Sequence, residues 1–365
     1  MPDEKSVPYR CYYADYLRLD QLLALQAPES ERLGRPAHDE LLFIIVHQAY
    51  ELWFKQILHE RDRIQDYFAQ EPMEDESLGR IVHALDRIEE ILKLLVQQLD
   101  VLETMTPLDF LDFRDLLIPA SGFQSVQFRA IEIRFGLKSE DRLLFADKPF
   151  EALLSAADRD RIRRAESEPK LIDQLDRWLA RTPFVELSDY DFHSAYRRAV
   201  IDALTTDAQR VRASEAMSDA RREAEAKAID AALERFRAIF EPEPEKSPWR
   251  MSLAAVEAAL FITVYRDEPV LQLPFRLLAA LMDVEETLTL WRYRHSLMVR
   301  RMIGVKVGTG GSSGHDYLHR TAEQHQIFAD LFGLSSYLIP RSALPRLPPA
   351  VKARMGFTYA RPAAP

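Results

Sequence analysis

The chain has 365 residues, 47% of them hydrophobic, enough to bury one large core or two smaller ones. Its net charge of −10 excludes nucleic acid as the expected partner, because phosphate binding needs a concentrated basic surface, and the cluster Arg161, Arg163 and Arg164 is surrounded by Asp and Glu. One cysteine, Cys11, allows no disulfide within the chain, the first residues lack a secretory apolar region, and apolar runs such as 41–46 are too short to span a bilayer; together these predict a cytoplasmic protein without membrane contact.

Residues 1–11 are expected to be poorly ordered. Residues 12–26 alternate apolar and polar positions at helical spacing and predict one short helix. Asp39 is placed to cap a long helix running through Trp53 and Ile57 to about Tyr67, and Pro72 with the acidic run 74–76 marks a turn. Leu78, Ile81, Leu85, Ile88, Leu92, Leu95, Leu99 and Leu102 follow 3-4-3-4 spacing, a coiled-coil-type seam that predicts a near-parallel or antiparallel helical partner. Thr106 caps a further helix with Pro107 first and Asp109 third, and Pro119 ends it by disfavouring helical geometry at Ile118. Ser121 is expected to cap the next helix with Gln124 reaching back, and Gly136 closes it.

The stretch 137–190 is polar, with short helices broken at Pro149, Pro169 and Pro183. Residues 207–240 predict a charged helix within an exposed hairpin or insertion at about 200–245, broken by Pro242, Pro244 and Pro248. Residues 252–265 are helical, and Pro274 is expected to begin the helix that leads to His295. The proline-rich tail 345–365 is placed on the surface, with 350–365 poorly ordered. No repeat and no strand pair is evident. The expected class is all-α, a helical bundle in one domain spanning 1–365.

Three places carry chemistry. Phe43 and His47 are four apart and project from one helix face, so His47 reads as a hydrogen-bonded core histidine or as a group facing a ligand. Leu288, Trp291, His295, Met298 and Met302 form an apolar stripe holding one imidazole. Such a stripe is plain core, or the wall that presents a proximal ligand to a haem iron. The cysteine–histidine haem attachment motif is absent, so any haem is held non-covalently. Arg114, flanked by Phe110 and Leu117, suits bidentate capture of a carboxylate or a surface ion pair with Asp112 or Asp115. Four of the eleven glycines fall in 308–314, directly after the His295 helix. This cluster matches neither a P-loop nor a dinucleotide fingerprint, and it predicts a lid carrying Thr309. No histidine has a Glu three residues before it, which removes a di-iron bundle.

Residues 43–56 (FIIVHQAYELWFKQ), 113–129 (FRDLLIPASGFQSVQFR), 291–295 (WRYRH) and 308–314 (GTGGSSG), in that order, resemble the tryptophan 2,3-dioxygenases, and the likeness runs from Tyr13 through Ile339. The resemblance implies an all-helical, homotetrameric enzyme, one haem b per subunit, that uses O2 to open the indole ring of L-tryptophan to N-formyl-L-kynurenine. By that resemblance His295 matches the axial ligand of the haem iron and Ser121 a haem-side serine. His47 matches the catalytic histidine that meets the indole N–H. Phe43, Ile44, Ile45, Val46, Phe110 and Leu117 match the substrate pocket, Arg114 the carboxylate clamp and Thr309 the loop residue at the amino-acid end. Tyr13, Tyr16 and Leu17 match a segment that a neighbouring subunit lends to the pocket. Leu41 stands where some relatives have histidine, Ala14 where glycine is common and Phe110 where some bacterial members have tyrosine; His315-Asp316 varies too. None of these departures removes a chemical role.

Overall fold

The computed structural model describes residues 11–144, 149–183, 185–187, 190–240, 249–304 and 314–356. The N-terminal segment is two short helices rather than one. Helix α1 (Tyr13–Leu17) and α2 (Leu19–Leu22) are separated by Arg18, whose φ of 54° is left-handed and breaks the helix. Neither helix buries a residue, so packing does not force the segment straight. Helix α3 (Glu29–Arg32) is capped from a distance by Glu40, whose carboxylate accepts from the Glu29 and Ser30 N–H groups at 2.8 and 2.9 Å. That carboxylate opens α4 (Glu40–Phe68), which starts after Asp39 as expected although the Asp39 side chain makes no cap bond.

The seam lies on α5 (Asp75–Leu102), and all eight of its apolar residues are buried. Each contributes about 1.5–3 kcal/mol of transfer free energy. The Thr106–Asp109 capping box and the N1 proline open α6 (Pro107–Arg114), which tightens into a 3₁₀ turn over Asp115–Leu117 before extended Ile118. Ser121 and Gln124 do form a capping box, but it closes only the 3₁₀ turn Gly122–Gln124. The helix proper, α7 (Val126–Phe135), is capped by Ser125, whose hydroxyl accepts from the Phe128 N–H at 3.3 Å. Gly136 ends α7 at φ +135°, where a Cβ would run into Ile172 and Arg250.

Helices α8 (Ala156–Ser167) and α9 (Leu171–Leu179) fill the polar stretch, followed by a strand pair that the sequence did not suggest. Strand β1 (Glu186–Leu187) pairs antiparallel with β2 (Tyr190–Asp191) at two residues each, too short to leave a periodic signal. The charged segment is a hairpin of two helices, α10 (Phe192–Arg212) and α11 (Asp219–Phe240), rather than one helix starting near 207. Its base is anchored by Phe192, Tyr196 and Val200, all buried. Helix α12 (Leu253–Val264) falls within the expected helical stretch and is capped by Ser252.

The site helix, α13 (Pro269–Ile303), starts at Pro269 and carries Pro274 inside it. Pro269 suits the first position because its missing N–H falls among donors that lack partners there anyway. Burial of Leu271, Leu277 and Leu278 holds the helix across Pro274. α13 packs along α5, α5 packs along α4, and α14 (Gly314–Gln324) packs against α13. After α15 (Ala329–Gly333) the tail forms α16 (Pro349–Ala353). This tail is not wholly superficial: Val351 and Met355 are buried, and the Met355 carbonyl accepts from the Val270 N–H at 3.0 Å, satisfying a first-turn donor of α13. Among the described residues, no helix is long and apolar enough to cross a membrane.

Candidate active site

The face of α4 that carries Phe43 and His47 does not close against another helix. It opens onto a mostly apolar cavity whose other walls come from the end of α5, α6, α7, α13 and α14. On the α4 side, Phe43 stacks on Phe110 at 5.7 Å between centroids, and Phe113 meets both rings edge-on at 5.6 and 5.4 Å. The His47 Nδ1–H donates to the Phe43 carbonyl at 2.7 Å. A carbonyl only accepts, so this bond fixes the proton on Nδ1 and leaves Nε2 as an acceptor. Withdrawal of water lowers the His47 pKa below the ordinary 6.5, keeping the ring neutral at physiological pH. Arg114 lines the same wall. Its guanidinium lies 3.7 Å from the carboxylate of exposed Asp115.

Across the cavity stands His295. Its ring stacks on Trp291 at 5.1 Å and 21°, and Trp291 packs in turn against Phe128, Tyr50 and Phe54. The His295 Nδ1 is buried with no hydrogen-bond partner among the described residues. Desolvation drives its pKa down to about 4, and the His47 imidazole adds to the effect. A neutral, under-partnered imidazole in an apolar wall has a lone pair available to a metal. Among the described residues, no group of three His, Cys, Asp or Glu is placed to hold a metal ion.

Two sets of polar groups fasten the walls. Glu51, one turn after His47, accepts from the Ser125 hydroxyl at 2.6 Å and from the Gln127 amide at 2.8 Å, which locks the start of α7 onto α4. Deeper in, Glu132 of α7 accepts from Arg129 and from Arg292, each at 2.9 Å. Desolvation works to raise the Glu132 pKa, but Arg129, His325 and Arg292 outweigh it and hold the carboxyl well below the usual range.

Of the residues singled out from the sequence, the structure brings Phe43, His47, Phe110, Arg114, Ser121 and His295 together around one cavity. It does not bring Ile44, Ile45, Val46 or Leu117 to its surface: Val46 is in the core, Ile45 is exposed and Leu117 packs against the core from the 3₁₀ turn. Helical geometry explains this, since neighbours of an inward-facing residue rotate about 100° away per step. Tyr13, Tyr16 and Leu17 are exposed and absent from the cavity lining. Thr309 and most of the glycine cluster lie outside the described residues. Sequence reasoning missed Glu132 and His325; Glu51, Arg129 and Arg292 fell within the motifs but drew no role. The available signal was a charged pair three apart, Arg129 and Glu132, inside the apolar run of α7.

The two imidazoles give a pH dependence. Both have folded pKa values below the unfolded 6.5, so the unfolded chain binds more protons from about pH 6.5 down to about 4. Stability of the cofactor-free protein is therefore expected to fall as pH drops through that window. His295→Gln should flatten the fall, as measured by urea midpoints at about pH 7 and about pH 5. An unchanged slope would mean that His295 is well solvated.

A largely helical scaffold enclosing an aromatic cavity, with two imidazoles and the Arg114 guanidinium among its lining groups, has the shape and chemistry that suit a flat small molecule. Residues 4–338 match the family described as Tryptophan 2,3-dioxygenase. Proteins of that name from Alteromonas mediterranea and Bdellovibrio bacteriovorus are 47% and 46% identical to it, each over 95% of this chain and over 97% and 98% of their own. One from Dictyostelium discoideum is 44% identical over 98% of this chain and 91% of its own. The chain belongs to the tryptophan 2,3-dioxygenase family.

Proposed function

We propose that this protein is a tryptophan 2,3-dioxygenase that inserts both atoms of O2 across the indole C2–C3 bond of L-tryptophan to give N-formyl-L-kynurenine, using non-covalent haem b. The observation that carries the reading is the cavity between His47 and His295 in a chain of this family. The donor set fits the cofactor: one neutral imidazole whose Nδ1 has no described partner, in an apolar wall without other ligand clusters among the described residues. His295 would hold the iron, with Ser121 on the same cavity. When bound, the haem supplies the O2 binding and redox capacity that side chains lack.

The protein's own groups do the positioning. Arg114 pairs with the substrate carboxylate, Phe43 and Phe110 take the indole ring, and the His47 Nε2 accepts the indole N–H. Holding both reactants in one geometry is worth up to about 7–11 kcal/mol. Electrophilic attack at indole does not require prior removal of the N–H proton, so His47, its ring fixed by the Nδ1–H bond to the Phe43 carbonyl, orients the indole rather than acting as an obligatory base. His47→Ala is expected to lose roughly 10- to 100-fold in kcat/KM while keeping measurable turnover, read by steady-state kinetics. A dead variant with normal substrate and O2 binding would make His47 essential to proton transfer.

The exposed Tyr12, Tyr13, Tyr16 and Leu17 support burial of the N-terminal segment on a neighbouring subunit, in a homotetramer. The exposed lone Cys11 suits a reducing cytoplasm. The decisive test is the absorption spectrum of the purified protein in air, with and without L-tryptophan. A Soret band and a growing near-ultraviolet band from a product two oxygen atoms heavier are expected. No Soret band, or a product heavier by one oxygen, overturns the reading.

A further inference from the structure

Four buried groups beside the cavity have no task in the scheme above: Glu132 and Arg129 on α7, Arg292 on α13, and His325 just after α14. All are under 10% exposed. The Glu132 Oε1 accepts from Arg292 Nη2 at 2.9 Å and its Oε2 from Arg129 Nη1 at 2.9 Å. The second Arg292 nitrogen, Nη1, donates to the His325 carbonyl at 2.9 Å. The Leu143 N–H donates to His325 Nε2 at 3.2 Å, so the ring proton sits on Nδ1, which faces Glu132 Oε1 at 3.3 Å. Two guanidiniums thus share one carboxylate in a desolvated wall. Such clusters are costly, and an apolar replacement of similar volume is often neutral or stabilising, so this one calls for a reason other than stability.

His295 supplies the reason. Ligand imidazoles are usually aimed by a hydrogen bond from their other ring nitrogen. Here no described residue meets the His295 Nδ1, and its one described ring contact is the stack on Trp291. Arg292 lies three residues before His295, one turn away on the same face of α13. With both ends of its guanidinium pinned to different elements, Arg292 stops that turn of α13 from rotating about the helix axis.

We propose that Glu132, acting through Arg292, is a positioning residue for His295 that sets the direction from which the imidazole meets the haem iron. The proposal rests on the haem reading above. It differs from a packing role in that it acts on the iron–imidazole bond itself. The resonance Raman band of that bond is measured in the ferrous protein, alongside haem affinity by titration and melting of the cofactor-free chain, for the parent, Glu132→Gln, Arg292→Lys and the double variant. Arg292→Lys keeps the charge but loses the two-ended grip. Each single variant is expected to shift or broaden the band and to bind haem about 10- to 100-fold more weakly, with the double variant little worse than either. An unchanged band in a folded Arg292→Lys protein overturns the proposal, and that variant decides alone if Glu132→Gln fails to fold. A parent chain that takes up no haem instead overturns the cofactor reading.

Discussion

His295→Ala protein is expected to purify without a Soret band and without turnover. Removing groups that merely orient a metal-bound histidine typically costs 10- to 100-fold in affinity, so loss of the ligand itself should exceed about 100-fold. The fold should survive. His295 makes no hydrogen bond among the described residues, and the wall around it is held by Trp291 packed on Tyr50, Phe54 and Phe128. Deleting a neutral ring from an apolar wall leaves no charge unpaired. The informative comparison is with His47→Ala, measured by haem content at equal protein. Loss of haem in His47→Ala and retention in His295→Ala would exchange the roles of the two imidazoles.

Arg114→Leu is the second large effect. The Arg114 side chain is 14% exposed whereas that of Asp115 is 79% exposed, so their 3.7 Å pairing is a weak, solvent-screened contact. Arg114 lines the cavity, and the reading proposed above pairs its guanidinium with the substrate carboxylate there. Truncating one partner of a desolvated charge pair costs about 2–5 kcal/mol, or roughly 30- to 5000-fold in kcat/KM. The loss should fall mainly on KM, with the Soret band unchanged. If instead haem is lost in step with activity, Arg114 supports the cavity rather than the substrate.

What the sequence revealed follows from the range of the forces involved. The α5 seam and the Thr106–Asp109 box were legible because side-chain periodicity and capping are settled within one or two turns. The break at Arg18 was not, since a left-handed non-glycine residue leaves no compositional trace. The start of α13 lies at Pro269 rather than Pro274, because a proline that could open a helix is carried inside it where distant packing holds the helix together. The site divided in the same way. Single residues on apolar faces, His47 and His295, could be picked out with their neighbours. The Glu132 cluster could not: Arg292 is 160 positions and His325 193 positions away from it, and nothing local records such a pairing.

That separation has a consequence for how the chain lives in a cell. The cavity is bounded by α4 near one end of the molecule's sequence and by α13 and α14 near the other, so it forms only once these distant elements have come together. A partly folded chain has nowhere to bind. Any occupant therefore pulls the folding equilibrium toward completion by mass action, about 2.7 kcal/mol when its free concentration is a hundred times its dissociation constant. An occupied cavity is therefore expected to lower the fraction of chain open to proteolysis, as limited digestion with and without L-tryptophan would measure.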